Sequence, residues 1–104
     1  MRVVLTPEAA EQLESRKRWW RRNRTSTADL LEQEFLDALA LIRERPLLFA
    51  VAMTIEGRQI RRVLMEKTSC HLYYEVDSAE GRVTILAAAG ASQRRTPKMH
   101  DAPP

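Results

Sequence analysis

Three arginines and a histidine stand closest to chemistry in this chain. Arg58, Arg61 and Arg62 open a strand-like segment, RQIRRVLMEK. His71 follows in the next segment, TSCHLYYEVD, beside Tyr73, Tyr74 and the only cysteine, Cys70. A third such segment, RVTILAAAG, ends at Gly90, and Arg94 and Arg95 come after it. Guanidinium groups grip phosphate or carboxylate through paired N–H donors. An imidazole titrating near neutrality adds a group that can move a proton. Gathered on one sheet, these side chains form a grip for an anion. Cutting that anion would need more: a base, an acid for the leaving oxygen, and cations for the charge that develops. Arg62 and His71 are the residues of the two central segments that could begin such a set.

Bland roles compete at each position. Arg61 and Arg62 alternate across a strand, so one of them has an acid of the preceding helix, Glu34 or Asp37, as a candidate partner. His71 also reads as an ordinary strand residue. A lone thiol among apolar neighbours packs as a small hydrophobe, which assigns Cys70 to the core. Cys70, His71 and His100 do not make a metal site, because zinc needs three or four well-placed ligands. The expectation is no metal and no cofactor.

The elements that must position these residues follow from pattern. In the second segment Cys70, Leu72, Tyr74 and Val76 fall on one face of a strand, and Ser69, His71, Tyr73 and Glu75 on the other. Lys67-Thr68 supplies a tight turn and Asp77–Gly81 a longer one. Upstream, Arg2–Leu5 reads as a short strand. Thr6-Pro7-Glu8 then starts a helix: a capping hydroxyl, a proline at the first helical position, and an acid at the positive end of the dipole. Leu13 and Trp20 share its apolar face, which makes Trp20 a core residue. Trp19 lies about 100° away and is left exposed, a plausible anchor for a partner.

Thr25-Ser26-Thr27 breaks that helix and can cap a second, with Asp29 in its first turn. Leu31, Phe35, Ala38/Leu39 and Ile42 form the apolar stripe of the second helix, and Pro46 stops it. The short connection favours an antiparallel helical hairpin. Residues 47–57 stay open between a packed loop and a short extra strand. The fold class is therefore α+β: an N-terminal strand, a two-helix hairpin, then an antiparallel three-stranded meander with the helices on one face.

Size and composition set the outer bounds. A chain of 104 residues, 44% hydrophobic and 30% charged, is one globular domain. The reading places that domain at residues 1–96 and a flexible tail at 97–104. The longest apolar run, Leu47–Met53, is far short of the roughly 20 residues that cross a bilayer, so no membrane association is expected. With one cysteine and no signal peptide, the expected compartment is the cytoplasm. The net charge of +3 is unevenly spread. Residues 1–25 carry seven Lys/Arg against three acids, residues 26–57 two against six, and residues 58–104 eight against five. A basic first helix and basic sheet suit an acidic or nucleic-acid partner.

The order of these elements resembles the RelE/ParE family of toxins from bacterial type II toxin–antitoxin systems. The resemblance covers nearly the whole chain. It lies in a strand running into a T-P-x-A helix start and a second helix ending L-x-x-x-R-x-P-like at Leu41, Arg45 and Pro46. It continues in IRRVLMEKTSCHLYYEVD, and in a last apolar strand followed by an arginine pair and a proline. The family implies one of two activities: ParE-like members inhibit DNA gyrase, and RelE-like members are ribosome-dependent mRNA endonucleases. In RelE-like members basic residues on the two central strands and a basic or His/Tyr-bearing C-terminal segment carry catalysis; Arg62 matches a basic site on the first central strand, and His71 falls where the next strand usually carries an Arg. After the last strand, where a catalytic Arg or His is expected, this chain has Gly90-Ala91-Ser92, and nothing aromatic follows Tyr74. The resemblance therefore favours a ParE-like gyrase inhibitor that acts by binding. Its implied target contacts are Arg58, Arg61, Arg62, His71, Arg94 and Arg95. It further implies a ParD-like antitoxin in a hetero-oligomer, lying against Leu13, Trp19, Trp20, Leu31 and Phe35, with nucleic acid met only indirectly or through that antitoxin.

Overall fold

The computed structural model describes residues 1–91. The expected boundary at residue 96, the tail at 97–104, and Arg94, Arg95 and His100 lie outside the described residues.

Strand β1 (Arg2–Leu5) leads through Thr6 into helix α1 (Pro7–Asn23). The Thr6 hydroxyl accepts from the Ala9 amide at 3.1 Å and donates to the Leu86 carbonyl at 3.3 Å. The cap therefore satisfies an orphan helix N–H and ties the helix start to the sheet. Thr25–Thr27 forms one 3-10 turn rather than a side-chain cap for the next helix. The Thr27 hydroxyl donates back to the Arg24 carbonyl. Asp29 then sits at the N-cap position of α2 (Leu30–Glu44) with no side-chain capping bond. The helix stops one residue before Pro46, at a C-cap on Arg45.

Four strands follow: β2 (Val51–Ile55), β3 (Arg58–Met65), β4 (Cys70–Asp77) and β5 (Arg82–Gly90). They form one five-stranded sheet in the order β1-β5-β4-β3-β2. The fold is α+β as expected, but the sheet exceeds the three-stranded meander in two ways. The open stretch after Pro46 supplies β2, closed onto β3 by a two-residue turn. Glu56 (φ 51°) and Gly57 (φ 80°) both lie in the left-handed region, the geometry of a tight hairpin turn whose twist matches the strands. Strand β1 also joins the sheet, parallel to β5, with Val3 opposite Val83 and Leu5 opposite Ile85.

The two faces of the sheet differ. Ala9, Leu13 and Trp20 of α1 and Leu31, Phe35 and Ile42 of α2 pack on one face. There they meet Val63, Met65, Cys70, Leu72, Tyr74, Val83 and Ile85. The alternation read from β4 therefore holds: its Cys70, Leu72 and Tyr74 side faces the helices. A second cluster, Ile60, Tyr73, Leu86, Ala87 and Ala89, occupies the opposite face and includes no helix residue. A bulge on β5 between Ile85 and Ala87, opposite Tyr73 and Tyr74, turns Leu86 toward this cluster.

Candidate functional site

Register brings the site residues of β3 and β4 together on the face away from the helices. Arg62 lies opposite Tyr73 and Leu64 opposite His71. The His71 and Tyr73 rings meet edge to face, with centroids 6.1 Å apart. Arg62 is exposed, His71 is partly exposed, and Leu64 is 44% exposed beside them. The result is a surface with one outward guanidinium, one imidazole and an apolar rim.

The other two arginines of β3 serve the fold. Arg58 shares the open face but is held by Glu75 in a two-pronged ion pair, Nε to Oε2 at 2.8 Å and Nη2 to Oε1 at 2.7 Å. Arg61 points the other way and donates from Nη1 to the Phe49 carbonyl at 2.6 Å. The candidate acids of α2 do not pair with Arg61 or Arg62. Arg61 instead satisfies carbonyls of the irregular segment after Pro46, where no strand partner exists. Glu34 accepts from the Lys67 amide, the Thr68 amide and the Thr68 hydroxyl at 2.6–2.9 Å, and so clamps the β3–β4 turn to α2. A cleft of about 360 Å³ beside Arg58, Arg61 and Glu75 is thus lined by groups already engaged.

Protonation on this face is shifted. Partial burial pushes the His71 imidazole below its ordinary value, and the Arg62 charge pushes it the same way. The folded state therefore prefers neutral His71. Its stability is undiminished above about pH 6.5 and falls as pH drops from there through the lower folded value. Substituting Arg62→Gln is expected to raise the His71 value without restoring it fully, because burial is the larger cause. An NMR titration of the imidazole carbon-bound protons checks this, and an unchanged midpoint would mean that Arg62 does not reach the ring.

On the helix side, burial raises the Cys70 thiol despite the opposing Arg16 charge. A fully buried thiol shifted this way is a poor nucleophile. Burial also raises the Tyr74 phenol, which donates to the Pro46 carbonyl at 2.8 Å. Among the described residues, no group of three or more His, Cys, Asp and Glu side chains could hold a metal ion. No helix there is long and apolar enough to cross a membrane.

Of the five residues expected to meet a partner, Leu13, Trp20, Leu31 and Phe35 are buried between the helices and the sheet. They hold the two layers together and offer no outward surface. Trp19 differs: it is 45% exposed and edge-on to Trp20. It stands among the exposed Arg18, Arg21 and Arg22. The roles of Glu34 and Glu75 were not among the sequence expectations. Glu75 had a usable signal, since it shares the β4 face with His71 and Tyr73, in reach of β3.

The chain matches no protein-family model and no curated protein.

Proposed function

We propose that this chain is the toxin of a type II toxin–antitoxin pair, of the ParE-like kind, which inhibits DNA gyrase by binding it and is silenced by a ParD-like antitoxin. It is proposed to act in the cytoplasm. The observation that carries the binding reading is the fate of the β3 arginines. Arg58 is committed to Glu75 and Arg61 to backbone carbonyls, so Arg62 is the arginine of that strand turned outward beside His71. A phosphorane would draw on several converging donors. A single guanidinium beside an apolar rim suits contact with a protein surface better. The element order of strand, two helices and antiparallel strands is also that of the RelE/ParE resemblance. For the antitoxin, exposed Trp19 within its basic turn is the proposed anchor, suited to a partly acidic segment.

A supercoiling assay with purified gyrase tests the reading. Inhibition is expected, and Arg62→Glu is expected to raise the half-inhibitory dose about tenfold, the equivalent of ~1.4 kcal/mol of lost binding. Normal supercoiling with the protein in excess would overturn it. One observation favours the RelE-like alternative: an imidazole kept neutral beside a guanidinium is a competent base. Codon-phased new mRNA 5′ ends after induction would put the endonuclease reading first.

A further inference from the structure

We infer that two copies of this chain pair through the outer sides of their helices, α1 of each lying along α2 of the other. The pairing is independent of the toxin reading.

Both helices lie on the same face of the sheet, so their outer sides make one surface turned to solvent. Charge is divided across that surface. Residues 1–25 carry seven Lys/Arg against three acids, and residues 26–57 two against six. Arg18, Arg21 and Arg22 are exposed in the last turns of α1, and Asp29, Glu32 and Asp37 are exposed around the first turns of α2. Arg18 is loosely paired with Glu11 at 3.5 Å, and Glu32 with Lys17 at 3.7 Å. The other four have no ion pair among the described residues. The Lys17–Glu32 pair also shows which ends lie side by side: the basic end of α1 runs beside the acidic start of α2.

That juxtaposition can be repeated between copies. A two-fold axis parallel to the helices sets α1 of one copy over α2 of the other in the same antiparallel sense. The basic end of each α1 then meets the acidic start of an α2, twice per dimer. A two-fold axis across the helices would instead set α1 on α1 and α2 on α2, like net charge on like. An apolar ridge marks the seam on the acidic helix. Leu36, at 53%, is the most exposed large apolar side chain on either helix, and exposed Ala40 follows four residues on, on the same side of the helix. A partner helix there would take Leu36 out of water.

Two neighbouring helices about 24 Å long present roughly 500 Å² per copy. Counted over both copies, that lies at the lower end of specific interfaces. Exposed ion pairs contribute orientation more than affinity. The dimer is therefore weak and sensitive to salt.

Sedimentation equilibrium of the full-length chain at about 100 µM tests the pairing. A dimer is expected in about 50 mM salt, with a dissociation constant that rises about tenfold by about 500 mM. A wild-type monomer at low salt would overturn it. One variant, Arg18→Glu with Arg21→Glu and Arg22→Glu, reverses the exposed charge at the end of α1. A second, Asp29→Lys with Glu32→Lys and Asp37→Lys, reverses it at the start of α2. Each is expected to be monomeric alone, and an equal mixture is expected to dimerise again, because both seams then join opposite charges. Folded variants that stay monomeric in the mixture, or that dimerise alone, would overturn the arrangement. Leu36→Gln decides the matter if either charge variant unfolds. Its side chain is exposed, so the fold should hold while the dissociation constant rises several-fold; an unchanged constant would place the contact elsewhere and overturn the inference.

Discussion

Leu31→Ala is expected to lower the unfolding free energy by about 3 kcal/mol, with a range of roughly 2–5 for a leucine truncated in a closed core. Leu31 is fully buried in the first turn of α2. It belongs to the cluster that joins both helices to β3, β4 and β5. Removing its outer carbons forfeits transfer free energy and leaves a cavity that two packed layers cannot close. Domains of this size are stable by only about 5–15 kcal/mol, so the loss is a large fraction of the total. Urea denaturation should show a lower midpoint with an unchanged slope. Trp19→Ala is the contrast: as an exposed residue it should shift stability by no more than about 0.5 kcal/mol, while weakening capture of the proposed antitoxin. A neutral Leu31→Ala would contradict the assignment of this stripe to the interior.

Glu34→Ala is expected to cost about 2–3 kcal/mol. One carboxylate satisfies two amides and a hydroxyl of the β3–β4 turn, and hydrogen bonds to a charged acceptor are worth more than neutral ones. Thr68 is buried, so its donors have no water to turn to once the carboxylate is gone. Glu34→Gln should recover part of the loss, because its carbonyl oxygen can accept both Thr68 donors while its NH₂ would face the Lys67 amide, where an acceptor is needed. The readout is local as well as global. Amide exchange at Lys67 and Thr68 should accelerate more than at Leu72 in mid-strand. Equal acceleration at all three would mean that Glu34 acts only on overall stability.

What could be read from the residues was whatever local periodicity encodes. The Thr6-Pro7 start, the Pro46 stop and the two faces of β4 each depend on a few neighbouring positions. The apolar stripe of α2 was visible too, yet a stripe has the same period whether it meets a sheet or a partner. Leu31 and Phe35 therefore read as partner-facing although they are interior. Strand β2 was obscured because Leu47–Glu56 is apolar without clear alternation; Glu56-Gly57 was the available hint of a hairpin. The engagement of Arg61 and Glu34 lay beyond pattern altogether. Both bind backbone groups, which every residue possesses, so only the path of the chain reveals which ones are orphaned. For the open face, the pairing of Arg62 with Tyr73 followed once the register was known, and register depends on the turn at Lys67-Thr68.

The parallel pairing of β1 with β5 has a consequence for how the molecule comes into being. The Thr6 hydroxyl meets the Leu86 carbonyl across 80 positions of chain. The first strand thus has no neighbour in the sheet until the last has been synthesised. Such distant closures are slow relative to helix or hairpin formation. During translation the helices and the β2–β4 hairpins can form early, but β4 keeps an unpaired edge and β1 waits. The face bearing Arg62 and His71 is completed only once β5 has been made, so a product truncated before Arg82 carries the residues without the surface.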